Sequence, residues 1–352
     1  MLVLAGFLLA YQFVEPAPPK VITLATGSPT GAYHAFGLAM QDILAANDID
    51  LMLQNTAGSD ENAALLANGT VDIALIQGGT PLDAVPSSEH LRALASLYYE
   101  PLWLFHRLDP APNRLSELAD RKVNRGAPGS GTRTLTDELL KLNNAVSKTF
   151  SDLDTAAASK ALRAGEIDAL FMVSGENSPE AQTLLHAPGI SLMDLPRAKA
   201  YHLHRRYLSA LSLPPGAIDL ANERPPTERQ MVGVTAMLVA RDDLHPALVD
   251  LLLLSAPKIV GGDGLFHSAG QFPSGQYLSI PLGKEAQRFH QRGPSFLQRF
   301  LPFWAATLID RLIVMLIPLA ALVIPLFKLF PPLYRWRVRS RIYRWYEDLA
   351  RI

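Results

Sequence analysis

Three short segments rich in glycine, serine and threonine hold most of the chemistry this 352-residue sequence offers: Thr26–Gly37 (TGSPTGAYHAFG), Gly126–Arg133 (GAPGSGTR) and Ser174–Pro179 (SGENSP). The first two lie between a strand-like run and a helix-like run, and the third follows a strand-like run. At such junctions free backbone N–H groups and the positive end of a helix dipole face a ligand, and glycine lets the ligand come close. An anion or carboxylate suits that arrangement. The helix-start amides and the hydroxyls of Ser130 and Thr132 can hold a carboxylate, and Arg133 either adds charge-assisted bonds or faces solvent. Ser59, at another helix start, is either a ligand contact or an N-cap. Asn62, one turn into that helix, faces a cleft or solvent.

Several familiar sites are excluded. TGSPTG lacks the third glycine spacing and the later acidic residue of a dinucleotide fingerprint, and GAPGSGT has no lysine after its last glycine, as a phosphate loop needs. Ser130 is not in a nucleophile elbow, because positions 128 and 132 are Pro128 and Thr132. The nine histidines form no H-E-x-x-H pattern, and His202 and His204 sit two apart, a poor spacing for one metal on a helix. The absence of cysteine removes thiol catalysis, iron–sulfur clusters and disulfides. No catalytic constellation emerges, so binding is favoured over chemistry, with no cofactor and no metal. His34 paired with Glu61 or Asp60 is the remaining acid–base candidate for an enzyme.

These loops need a scaffold. Val21–Ala25, Leu51–Gln54 and Val71–Ile76 read as buried strands, alternating with helices through Ala45 and over Ser59–Ala67. Strand–helix–strand–helix–strand predicts a parallel sheet, hence an α/β lobe. The logic restarts with a weak strand at Lys122–Asn124, helices over Thr134–Leu142 and Ala156–Ala164, and a strand over Ile167–Val173. The pattern G-x-x-D recurs as GTVDIAL at Gly69–Leu75 and GEIDALF at Gly165–Phe171. Two α/β lobes facing one cleft are the economical arrangement. Met231–Ala240 is a late strand that can return the chain to the first lobe, with an apolar helix, Val249–Ile259, packed on it.

Both ends look membrane-directed. Residues 305–327 are apolar apart from Asp310 and Arg311, long enough to predict a transmembrane helix, with Trp304 and Tyr334 near its interfaces. Residues 328–352 carry seven basic side chains against Glu347 and Asp348. The positive-inside rule places that tail in the cytoplasm and the body outside the cytoplasmic membrane. A basic tail on an acidic remainder points to lipid contact and away from nucleic acid. Met1–Val14 is apolar without a basic start, either an uncleaved anchor or a signal remnant, followed by the proline-rich spacer Glu15–Lys20.

The runs ITLATGSPTGAYHAFG, AGSDENAALLANGTVDIALIQ and GAPGSGTRTLTDELL, continued by LPPGAIDLANERPPTERQMVGVTAMLVAR, resemble the TAXI family of extracytoplasmic solute-binding proteins, partners of TRAP-type secondary transporters. The tail KLFPPLYRWRVRSRIYRW resembles a subgroup with its own C-terminal anchor. The resemblance implies a type II periplasmic-binding-protein fold, with two α/β lobes closing on a ligand by hinge motion. On this pattern residues 20–102 and 235–300 form lobe one and residues 103–234 form lobe two, with 1–19 as anchor or signal remnant and linker.

It further implies a first ligand loop at Thr26, Gly27, Gly31 and Tyr33, with His34 where the family often has a second aromatic. Its G-S-x-x-N element falls on Gly58, Ser59 and Asn62, and its glutamine after the third strand on Gln77. Gly78 and Gly79 stand where acidic or polar residues often follow. G-S-G-T falls on Gly129–Thr132, including Ser130 and Gly131, and lobe two adds Ser174 and Gly175. The ligands implied are small organic acids such as glutamate, 2-oxoglutarate or C4-dicarboxylates, and the partners are permease subunits. The expected function is a tethered solute receptor; the alternative is a sensor or scaffold of the same fold without a permease.

Overall fold

The computed structural model describes residues 16–29, 31–145 and 149–349, with some side chains beyond residue 298 left aside. The expected anchor or signal at Met1–Val14 lies outside the described residues. Residues 19–294 form one compact unit, and 295–349 belong to a second.

In the first unit the chain runs β1 (Val21–Ala25), α1 (Ala32–Ala45), β2 (Asp50–Gln54), α2 (Ser59–Ala67), β3 (Ile73–Gln77) and β4 (Leu91–His106). It continues through β5 (Val123–Asn124), α3 (Gly131–Leu142), β6 (Phe150–Ser151), α4 (Thr155–Ala164), β7 (Ala169–Val173) and α5 (Pro179–His186). Then come β8 (Ser191–Leu192), α6 (Ala198–His204), β9 (Ser209–Leu213) and β10 (Arg229–Arg241). The helices α7 (Pro246–Ser255), α8 (Pro257–Val260) and α9 (Lys284–Arg292) complete it.

The strands order as β2-β1-β3-β10-β4-β7-β5-β6, with β8 on β4 and β9 on β10. Each end of this path is a parallel trio, β2-β1-β3 and β7-β5-β6, as the repeated strand–helix pattern predicts. Two long antiparallel strands join the trios. Leu91–Pro101 of β4 pairs with β10, and Leu102–His106 pairs with β7. The two α/β halves therefore share their central strands, an α/β two-lobe architecture of periplasmic-binding type.

Burial explains why these two strands can bridge. Central strands covered on both faces need continuous apolar sequence, and β10 (RQMVGVTAMLVAR) is buried from Met231 to Ala240. β4 (LRALASLYYEPLWLFH) is apolar almost throughout, with one acid, Glu100, in its middle. Trp103 is fully buried, and its indole N–H donates to the Ser174 carbonyl at 3.0 Å, holding the loop after β7. One core cluster packs α2 against β1, β3 and β10 around Leu66, Ile76 and Val239. Two others fill the second half, around Leu139 and Phe171 and around Trp103 and Phe272.

Two helix expectations shift. α3 starts three residues earlier than its apolar periodicity suggests, because Ser130 caps it by accepting the Arg133 amide at 3.2 Å. The apolar stretch from Val249 to Ile259 splits into α7 and α8 around Pro257, which cannot donate to a continuing helix.

In the second unit, Phe303–Leu349 forms a single helix, α10. The transmembrane helix expected over 305–327 is not found: among the described residues, no helix is long and apolar enough to cross a membrane. α10 runs unbroken past residue 327 through Lys328, Arg335, Arg337 and Arg339, so no helix end separates an apolar span from a basic tail.

Candidate functional site

The site begins with chain direction. In both parallel trios the strands β1, β2, β5 and β7 lead at their carboxyl ends into the loops that start α1, α2, α3 and α5. The first amides of a helix have no intrahelical acceptor, so these starts gather unpaired N–H groups beyond the sheet. They meet at a cavity of about 410 Å³.

Gly27 and Gly31 from the loop after β1 and Tyr33 from the first turn of α1 line one side of it, with Ser59 and Gln77 beside them. Ser130, Gly131, Thr132 and Ser174 line the other. These nine are the sequence-predicted residues that the fold brings together. Two hydrogen bonds cross between the halves here: the Gln77 amide nitrogen donates to the Gly131 carbonyl (3.1 Å) and the Thr134 hydroxyl donates to Asp60 Oδ2 (3.1 Å). Glycine at 131 leaves room for this approach, since a Cβ there would lie 2.3 Å from Gln77 Oε1 and push that side chain's flexible end aside.

Polar side chains around the cavity are held in place by the backbone. Ser59 Oγ accepts the Gln77 amide at 2.9 Å, so Ser59 is the first residue of α2 and ties it to β3; the N-cap position is Gly58. Thr132 Oγ1 accepts the Val173 amide at 3.0 Å, locking the start of α3 to the end of β7. Ser130 Oγ donates to the Ala127 carbonyl at 2.7 Å while capping α3. Among the described residues, the Ser174 hydroxyl is buried without a hydrogen-bond partner.

The remaining predicted residues lie elsewhere. Thr26 is fully buried, its hydroxyl donating to the Gln54 carbonyl at 3.2 Å. Asn62 faces neither cleft nor solvent: it is fully buried, and Nδ2 donates to the Thr26 (2.6 Å) and Leu75 (2.7 Å) carbonyls. It stitches the ends of β1 and β3, which positions the ligand loop. Arg133 turns to acids on its own lobe, reaching Asp137 and Asp152 at 2.6 Å each, with Arg125 on the same two carboxylates. His34 is outside the cavity lining, its Nδ1 buried without a hydrogen-bond partner among the described residues. Asp60 and Glu61 serve Thr134 and the Ala57 amide, so the acid–base pairing with His34 is not assembled. Gly175 lines a neighbouring cavity beside Tyr98.

The ion-pair network around Arg133 yields a prediction. Arg133→Ala should change ligand affinity less than about threefold, since the guanidinium is committed to partly exposed carboxylates. Calorimetric titration of the variant checks it.

The most unusual group in the site was not anticipated. Glu100, on β4 at the shared strands, is 5% exposed and accepts the Tyr33 hydroxyl at 2.8 Å. Burial pushes its carboxyl up to about 7, against the opposing pull of the Tyr33 hydrogen bond. Burial and then the Glu100 charge push the Tyr33 hydroxyl well above its usual range, so it stays a donor. A single acid inside the apolar run Leu91–Leu104 was the available signal. Asp154 and Glu180 also line the cavity, and no lysine or arginine does among the described lining residues.

Two α/β halves sharing long central strands, with helix starts gathered round a cavity at the strand ends, define a two-lobe α/β fold of the periplasmic-binding type. The chain belongs to the NMT1-like family, which it matches over residues 24–253.

Solved structures similar to it include an ancestral arginine-binding protein bound to arginine, at 11% identity over 68% of this chain and 92% of that one, TM-score 0.43. Another is the periplasmic aliphatic sulphonate binding protein SsuA from Escherichia coli, at 12% identity over 68% and 72%, TM-score 0.43. A third is the arginine-specific periplasmic binding protein STM4351 from Salmonella typhimurium, at 13% identity over 69% and 95%, TM-score 0.44. At these values the family match carries the assignment.

Proposed function

We propose that this protein is an extracytoplasmic solute receptor of the TAXI type, which captures a small organic acid and presents it to the permease of a TRAP-type secondary transporter. The observation behind this is the cavity itself: several helix starts point into a space of about 410 Å³ that also holds a carboxyl titrating near neutrality.

The ligand's carboxylate sits on the Gly131 and Thr132 amides at the start of α3, where the third amide is already taken by Ser130 Oγ. On the opposite wall the single Tyr33 proton is held by Glu100, so the donor offered there is Glu100 in its protonated form. Dipoles and neutral donors thus do the work that a lysine or arginine would do in another site. The ligand class is glutamate, 2-oxoglutarate or a C4-dicarboxylate, and the site residues are Gly27, Gly31, Tyr33, Ser59, Gln77, Ser130, Gly131, Thr132 and Ser174, with Glu100 added. Lobe one comprises residues 20–102 and 235–300, and lobe two residues 103–234. Ligand closes the lobes by favouring an existing closed state, which the permease reads. The role is binding, without turnover.

Uptake of labelled 2-oxoglutarate, glutamate and succinate in cells with and without the gene tests the transport role. The expected result is loss of uptake of one acid, restored by the wild-type chain and not by a cleft-blocked variant. Unchanged uptake of all three, in a protein that still binds one of them, would leave a sensor and remove the permease.

A further inference from the structure

A second cavity, of about 520 Å³, lies on the other side of the start of α1. Its walls are mainly apolar: Ala35 and Phe36 from α1, Tyr99 from β4, and Ile259 and Val260 from α8. It shares Gly31, Ala32 and Ser178 with the first cavity, so the two are chambers meeting at one threshold.

The threshold is built from small residues and one tyrosine. A Cβ on Gly175 would stand 3.7 Å from the Tyr98 ring and 4.0 Å from the Ala32 side chain, so glycine keeps this neck open. The Tyr98 hydroxyl is buried there without a hydrogen-bond partner among the described residues. It feels the charge of Glu100, a lining group of the first chamber, while its own ring lines the second. Burial and that charge keep the phenol protonated, hence a donor. A buried donor left unpaired is unfavourable unless something arrives to accept from it.

The far wall is fixed rather than loose. Glu176, after β7, accepts the Leu265 amide on both carboxylate oxygens (2.8 and 3.0 Å), tying the loop before α5 to the loop after α8. Asp263 accepts the Ala269 amide at 2.6 Å. The acids at this end are thus occupied by backbone, which leaves the apolar walls as the surface offered to a ligand.

We infer that the binding site extends through this threshold, and that the ligand is a monocarboxylate with an apolar aliphatic or aryl body. Its carboxylate stays in the first chamber and its body fills the second. This rests on the organic-acid reading above and departs from its two-carboxylate candidates. A cleft without a lysine or arginine at its lining accommodates one carboxylate more readily than two, and a largely apolar chamber gains from each methylene it buries. An oxo or hydroxy oxygen at the threshold would accept a hydrogen bond from the Tyr98 hydroxyl.

The test is a calorimetric titration of the full chain at pH 6 with the straight-chain monocarboxylates from acetate to octanoate. Burial of one methylene corresponds to roughly a threefold to fourfold gain in affinity, so affinity should climb steadily from butanoate to octanoate. Ala35→Trp fills the second chamber from an exposed helix position and should abolish the climb while leaving the shortest acids unchanged. Ala35→Leu should stop it at an intermediate length, which separates steric filling from misfolding. Affinity independent of chain length, with short acids still bound, would overturn the second chamber and leave the organic-acid reading standing. Binding of no acid of any length would overturn both.

Discussion

Glu100→Gln should abolish the pH dependence of ligand affinity between pH 6 and 8. In the wild type an arriving carboxylate repels the Glu100 charge, so binding favours the protonated carboxyl and takes up a proton. Because this group titrates at about 7, affinity for an organic acid should hold below that pH and fall by up to about tenfold per unit above it. Glutamine stays neutral, so its affinity should remain near the wild-type value at pH 6 and run flat to pH 8.

The same substitution has a stability counterpart. The folded-state value, about 7, lies above the ordinary 4.5, so from 4.5 to 7 the folded protein keeps a proton that the unfolded chain has released. Stability therefore falls as pH rises through that window, and above it the whole cost of the buried charge is present. The gap corresponds to roughly 3 kcal/mol. Glu100→Gln should recover about that much at pH 8 and almost none at pH 4.5, since its amide oxygen can still accept from Tyr33. Urea unfolding at both pH values measures this, and equal effects at both would show that Glu100 is not the titrating group.

Gly131→Val should abolish binding with little loss of stability. Gly131 is the first residue of α3, with no strained backbone angle, and the atoms nearest a Cβ there belong to the movable end of Gln77. Valine would cover the Gly131 and Thr132 amides, the two N–H groups left for a carboxylate. Two hydrogen bonds to a charged group, at roughly 1.5–3 kcal/mol each, correspond to a loss of about a hundredfold or more. Calorimetric titration reads the affinity and thermal unfolding reads the fold. A variant that binds as tightly as wild type would move the carboxylate away from α3.

The sequence was legible where local chemistry and tertiary structure demand the same residue. Gly-Ser-Thr clusters mark helix starts because positive-φ turns and close approach need them, and nine predicted residues from five separate stretches line one cavity. Helix Ser59–Ala67 appears with the predicted bounds. Legibility failed where a residue's partner is remote. Asn62 is a polar residue one turn into a helix, and nothing local reveals the two buried strand-end carbonyls it satisfies. Arg133 has Asp137 one turn away as an i,i+4 partner, but its second anchor, Asp152, comes from the loop after β6. Glu100 lay hidden in a strand whose apolar run reads as pure core. The segment 261–283 has no helix or strand period, yet it adds bridges from Ser274 to Ser96 and from Leu282 to Ala93 and walls the second chamber. At the C-terminus, composition suggested a span bounded at residue 327, whereas the helix continues to Leu349.

The central claim is capture of a small organic acid in the cleft, and the most direct test is thermal unfolding of the full chain at pH 6 against rising concentrations of glutamate, 2-oxoglutarate, succinate and hexanoate. A ligand that binds only the folded protein stabilises it by RT ln(1 + [L]/Kd), so the midpoint should keep rising with the logarithm of concentration once a bound acid exceeds its Kd. The account predicts that rise for at least one acid, weaker at pH 8, and absent in Gly131→Val. A midpoint unmoved by all four acids, at both pH values, would contradict it.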